Sequence, residues 1–245
     1  MSEDPVLARQ IDYYRAMAAT GRFDRAYART GEYARDDHVA EQWNRELDAV
    51  ARALDAESDV DEVVELACGT GRWTSVLARR ARHVVGVDAA PEMLRIHEER
   101  TAGLPVERVC ADVMSWSPER PPDLVVMCLW LSHVPPAAFD SFWRHVLSWS
   151  APETRYFLMD SLPHADRVGT DETAPDSSRW LHRRTLPDGT TVDIPKVFYD
   201  GDDLKARLGA LGLESRLDFS SSFFFFGSVE RTKGVAKTIP DVRRK

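Results

Sequence analysis

The stretch VVELACGTGRWT, Val63–Thr74, decides the fold of this chain. An apolar run passes an acidic residue, enters a turn with two glycines and opens into a helix-compatible segment. Gly69 and Gly71 let the backbone turn sharply and approach a ligand with no Cβ in the way, and a helix starting there presents free N–H groups. The next apolar run, HVVGVD at His83–Asp88, ends in a carboxylate roughly 20 residues on, the spacing at which an acid accepts hydrogen bonds from both hydroxyls of a ribose. Together these features predict a nucleotide-cofactor grip.

A dinucleotide fingerprint asks for a third small residue, Gly or Ala, where helix and strand pack closely. Position 74 is Thr, which disfavours a Rossmann oxidoreductase. Downstream, Val106–Asp112 reads as a third strand ending in Ala111-Asp112. Pro122–Trp130 reads as a fourth, followed by Leu131-Ser132-His133-Val134-Pro135. The run Glu65-x-Ala-Cys-Gly-Thr-Gly71, with Asp88 at its distance, resembles the first two motifs of the class I S-adenosylmethionine (SAM) dependent methyltransferases. The resemblance covers Asp59–Ser161 well and the flanks loosely. It implies an α/β fold: a Rossmann-like three-layer sandwich around a seven-stranded, mostly parallel sheet whose last strand is antiparallel.

The same resemblance implies SAM as cofactor and methyl transfer to an oxygen, nitrogen or carbon nucleophile of a small molecule, of the kind met in specialised metabolism. It places Glu65 near the methionyl portion and Asp112 on the adenine amino group, although Asp112 could instead cap the following turn. Ala67, Gly69, Thr70, Gly71, Asp88, Ala89, Met93, Val113 and Leu129 complete the implied cofactor contacts. Ser132 and His133 would line the methyl-transfer pocket. Trp73 is open between cofactor contact and helix anchor.

Composition suits one soluble enzyme unit. The chain has 245 residues, 43% hydrophobic and 29% charged, enough for a full core in a single α/β domain. The opening MSEDPVLARQ lacks the basic and apolar regions of a signal peptide and no stretch reaches membrane-span length, so cytoplasmic localisation is expected. A formal charge of −8 argues against nucleic-acid or anionic-membrane partners. Cys68, Cys110 and Cys128 are widely spaced beside predicted buried strands, which reads as reduced core thiols and no metal site.

The first 58 residues read as a helical lid, with Trp43, Leu47, Val50 and Leu54 forming one stripe of an amphipathic helix. Tyr14, Tyr27 and Arg29 are its candidates for the methionyl carboxylate and the sulfonium, through guanidinium pairing and cation–π contact. Residues 59–231 would form the main domain, with helices at Arg72–Arg82, Pro91–Thr101, Ala137–Ser150 and Asp202–Leu211. A hairpin is inserted at about 178–198, around Leu186-Pro187-Asp188-Gly189. Strands at Leu213–Phe219 and Phe223–Val229 would finish the sheet, the run Phe223–Phe226 being a two-sided buried strand or part of a dimer surface. Residues 232–245 read as a basic, solvated tail, and monomer and homodimer both remain open.

His133 is the candidate catalytic base, because an acceptor hydroxyl or protonated amine must lose a proton and imidazole titrates near neutrality. The alternative is that it orients the loop or the substrate. Asp160 and the basic hairpin residues Arg179, Arg183 and Lys196 could bound the acceptor pocket, or the latter could simply be solvated. His97 and the remaining histidines carry no motif and are expected on surfaces or helix faces. Two other classes share this grip: a SAM-binding enzyme with different chemistry, such as a cyclase or cofactor-modifying enzyme, and a non-enzymatic SAM-binding module.

Overall fold

The computed structural model describes residues 4–20, 37–163, 179–186 and 188–232. Tyr27, Arg29, Pro187 of the hairpin turn and the basic tail beyond Thr232 lie outside the described residues. The helices are α1 (Pro5–Ala19), α2 (Asp37–Glu57), α3 (Thr74–Leu77), α4 (Pro91–Arg100), α5 (Phe139–Trp149) and α6 (Gly201–Ala210). The strands are β1 (Glu62–Leu66), β2 (His83–Asp88), β3 (Val106–Cys110), β4 (Leu124–Cys128), β5 (Arg155–Ser161), β6 (Leu181–Thr185), β7 (Thr191–Pro195), β8 (Leu213–Phe219) and β9 (Phe224–Arg231).

Seven strands form one sheet in the order β3-β2-β1-β4-β5-β9-β8. The first five are mutually parallel, while β9 runs antiparallel to both β5 and β8. The strand order reverses between β1 and β4, which is where an open parallel sheet leaves a crevice at its carboxyl edge.

The apolar runs explain the layering. A strand covered on both faces needs no polar alternation, and all five residues of β4, Leu-Val-Val-Met-Cys, are buried. Alternate side chains then serve two cores. Val63, Leu124, Val126 and Phe157 pack with Leu47, Val50 and Leu54 of α2, whereas Val64, Val125, Met127 and Leu158 pack with Phe139, Phe142 and Trp143 of α5. Phe224 joins the first core and Phe225 the second, so the phenylalanine run is a strand buried on both faces within this chain. Truncating Leu54, which is wholly buried, would cost about 2–5 kcal/mol.

Three expectations are corrected. The helix after the glycine turn is regular only over Thr74–Leu77; beyond it Arg79 and Arg80 donate to Val76 and Leu77 in tighter i→i+3 bonds. Cys110 is exposed, unlike Cys68 and Cys128, because it ends β3 at the sheet edge. His97 is fully buried rather than on a surface. The hairpin forms as expected, with β6 and β7 paired antiparallel in a separate two-stranded sheet. Tyr13 and Met17 of α1 pack on its Ile194.

Candidate functional site

The segments that follow β1, β2, β3 and β4 form the floor of one cleft, and α1, Trp43 of α2 and the hairpin form its other walls. Of the residues singled out in the sequence, Tyr14, Ala67, Gly69, Thr70, Asp88, Ala89, Met93, Asp112, Val113, Leu129 and His133 all face this cleft. They come from α1 and from the carboxyl ends of β1, β2, β3 and β4 with the segments that follow them.

The turn after β1 is built for close approach. Gly69 and Gly71 have φ of 53° and 78°, a region that strains side-chain-bearing residues. A Cβ on Gly69 would meet no heavy atom within 4 Å. Two non-glycine residues share this conformation, Ala67 at 56° and Leu129 at 59°. They sit just past β1 and β4, on either side of the order reversal. Left-handed backbone at a non-glycine costs about 1–3 kcal/mol and persists where the fold over-determines it, commonly at a site.

Asp88 receives the Gly69 N–H on Oδ2 and the Ala90 N–H on Oδ1, both at 2.9 Å. Each oxygen retains acceptor capacity. Burial pushes this carboxyl upward, and the amide bonds oppose that shift. Asp112 accepts from the Met114 N–H at 3.0 Å, so it caps its turn and faces the cleft at once. Arg100 donates to the carbonyl and hydroxyl of Thr70 at 3.0 and 2.8 Å. Trp73 is both a cleft wall and a buried member of the α2-side core. A cofactor with a polar sugar and an adenine fits this set: carboxylates at two strand ends, an open glycine turn, and apolar Met93 and Val113. Gln10 of α1 also faces the cleft, and its buried Oε1 has no hydrogen-bond partner among the described residues.

At the other end, His133 Nδ1 lies 2.7 Å from the Pro195 carbonyl, which can only accept. Nδ1 therefore carries the proton, and Nε2 accepts from the Tyr14 hydroxyl at 2.8 Å. Burial, with the nearby Lys196 charge, pushes the imidazole down to about 3, so it is neutral at physiological pH. The hairpin is fastened to this turn by Val197 N–H donating to the Ser132 carbonyl at 2.7 Å. Lys196 Nζ reaches Ser132 Oγ at 2.8 Å, Ser161 Oγ at 3.2 Å and Asp160 Oδ1 at 3.3 Å. Asp160 also accepts from the Ser132 N–H at 2.8 Å, and Lys196 and these amides hold its carboxyl below the usual range despite burial. Ser132 and Asp160 thus sit behind the cleft wall as the anchor for Lys196, rather than on it.

Other expected residues are also off the wall. Glu65 is 1% exposed and bonded to the Thr74 hydroxyl, behind the turn. Gly71 is backed by His97. Arg179 is exposed and outside the cleft, and Arg183 points to Asp193 at 3.2 Å. The hairpin cations that do face the cleft are Arg184 and Lys196. The signal for Arg184 was strand alternation: His182 and Arg184 share the buried face, Leu181, Arg183 and Thr185 the other. Among the described residues, no helix is long and apolar enough to cross a membrane.

Known proteins match this architecture. A family model described as a methyltransferase domain covers residues 63–153. The trans-aconitate 2-methyltransferase of an Azoarcus species is 39% identical over 185 residues, 67% of this chain and 72% of that protein. An Escherichia coli enzyme of the same name is 39% identical over 69 residues, only 27% of either chain. Among solved structures, a DhpI-SAH complex superposes with a TM-score of 0.77 at 28% identity, covering 95% of this chain and all of that one. A DhpI-SAM-HEP complex gives 0.74 at 30% identity, covering 94% and 100%.

Proposed function

The chain belongs to the class I SAM-dependent methyltransferases, with SAM as its cofactor, and we propose that it methylates a carboxylate oxygen of a small polyanionic acid, forming a methyl ester. The observation that carries this reading is the hairpin cation Arg184 on the cleft wall beside a neutral His133. A relative named for trans-aconitate, a tricarboxylate, supports the same acceptor class.

In this reading Asp88 takes the ribose hydroxyls and Asp112 the adenine edge, while the Gly69–Thr70 turn, Ala67, Ala89, Met93, Val113 and Leu129 enclose the rest of the cofactor. SAM supplies a methyl group on a sulfonium, whose leaving thioether is neutral. What the protein adds is alignment and exclusion of water. Arg184 draws the acceptor carboxylates and fixes which oxygen faces the cofactor, while Lys196, bonded to Ser132, Ser161 and Asp160, holds the hairpin against the pocket. A carboxylate is ionised at neutral pH, so no proton has to be removed. A histidine with its acceptor nitrogen already occupied by Tyr14 therefore serves to hold the pocket rather than as a base. The α1 helix, carrying Gln10 and Tyr14, acts as the lid.

Calorimetry on the protein loaded with S-adenosylhomocysteine (SAH) tests the acceptor class. Trans-aconitate or a related di- or tricarboxylate should bind, and its amide should not. Equal binding of acid and amide, or preference for an amine, would overturn the reading.

A further inference from the structure

Resting on the reading that the Gly69–Gly71 turn receives the cofactor, we propose that His97 is a positioning residue for cofactor binding: wedged between Gly71 and Gly86 and linked through Thr74 to Glu65, it holds the turn in its receiving shape. The slot is tight. A Cβ on Gly71 would come within 2.8 Å of His97 Cδ2, and one on Gly86 within 3.0 Å of Nε2. The ring thus lies directly beneath the turn, between β2 and α4, with no exposure to solvent.

Its polar contacts form a continuous chain. Thr74 Oγ1 bonds Glu65 and lies 2.8 Å from His97 Nε2. On the far side, His97 Nδ1 is 3.3 Å from Thr101 Oγ1, which also donates to the His97 carbonyl at 2.8 Å. Arg100, three residues on, holds Thr70 from the same helix. The turn is consequently gripped from behind by α4, while its front faces the cleft.

The chain Glu65–Thr74–His97 has two fully bonded arrangements. With Glu65 protonated, the carboxyl donates to Thr74, Thr74 donates to Nε2, and the ring proton sits on Nδ1. With Glu65 ionised, Thr74 donates to the carboxylate, Nε2 donates to Thr74, and the Thr101 hydroxyl turns to Nδ1 from the His97 carbonyl, which keeps the Thr101 N–H at 2.9 Å. The imidazole is neutral in both, and only its tautomer changes. The surroundings agree. Burial raises Glu65 to about 8, opposed by its Thr74 bond and reinforced by Asp88. Burial, with Arg108 and Arg100 nearby, lowers His97 to about 4. The other titratable neighbours facing Glu65 are the buried thiols Cys68 and Cys128, both pushed up by burial.

Two measurements test the assignment. In His97→Phe, which fills the slot without the polar link, the Kd for SAH should rise about 10-fold, the scale of one buried hydrogen bond lost and one group orphaned. At saturating cofactor, turnover should stay within about twofold, and His97→Gln should recover part of the affinity. Nitrogen-15 NMR of the wild-type protein, which does not depend on a variant folding, should show a neutral His97 whose two ring nitrogens exchange roles as pH passes about 8. Its Nε2 signal should shift on SAH addition. Unchanged SAH affinity in folded His97→Phe, or ring signals indifferent to SAH, would overturn the inference. Asp88→Ala serves as control: loss of SAH binding there beside normal binding in His97→Phe removes the inference alone, whereas normal binding in both removes the reading of the turn as well.

Discussion

The hydroxyl of Tyr14 donates to Nε2 of His133 over 2.8 Å, joining the first helix to the turn after β4 across 119 residues of sequence. Because the Pro195 carbonyl takes the Nδ1 proton, this one bond settles the tautomer of the ring and uses its lone pair. Tyr14→Phe and His133→Ala should therefore be coupled. Each should lower turnover by about 10-fold, and the double variant should cost less than the sum, with a coupling of about 1 kcal/mol. A general base would behave differently, with losses of about 10²–10⁴ and rescue at raised pH. Rate against pH for the three variants decides it.

Asp88→Ala should weaken SAM binding by about 2–4 kcal/mol, the scale of two hydrogen bonds to a charged group. Calorimetry with SAH gives the number. An unchanged Kd would remove Asp88 from the cofactor site.

Arg184→Gln should raise the acceptor KM by about 10–100-fold while leaving SAH affinity alone, since a charge-assisted hydrogen bond carries that much. Lys196→Met should differ. It strands Asp160, 1% exposed, without its cation, and loss of one partner of a buried pair costs about 3–5 kcal/mol. Thermal denaturation should show a clear drop for Lys196→Met.

Stability should form a dome against pH. Glu65 is raised to about 8 in the folded protein, so the folded state keeps a proton that the unfolded chain releases, and stability falls as pH rises from the ordinary carboxylate range through about 8. His97 and His133 are lowered to about 4 and about 3. The unfolded chain protonates them first, and stability falls as pH drops below about 6.5 toward those values. Glu65→Gln should flatten the alkaline limb and leave the acid limb. At roughly 2–4 °C per kcal/mol, the change in Tm is easily measured.

The sheet was legible because its strands are apolar runs at regular spacing, and the cofactor turn because glycine and aspartate at fixed separation have few other uses. Thr74 was legible only as a departure from a dinucleotide pattern; its hydroxyl is the link between Glu65 and His97, a three-body contact that no local pattern encodes. His97 itself read as a helix-face residue, since only the meeting of α4 with Gly71 and Gly86 buries it. Ser132 and Asp160 read as pocket walls from their strand-end positions. The buried Lys196 that claims them comes from the hairpin, whose docking depends on backbone bonds such as Val197 to Ser132. Arg184 was available from period-two alternation, but which hairpin face meets the cleft was set by α1 packing on Ile194.

The most direct test of the central claim is transfer of a carbon-13 methyl from labelled SAM to a panel of di- and tricarboxylic acids, trans-aconitate included, followed by NMR and mass spectrometry of the product. The account predicts one methyl per acceptor, on oxygen as an ester cleaved by mild alkali, with an equal amount of SAH released. A label on nitrogen or carbon, or methylation of neutral hydroxyl compounds with every acid left untouched, would contradict it.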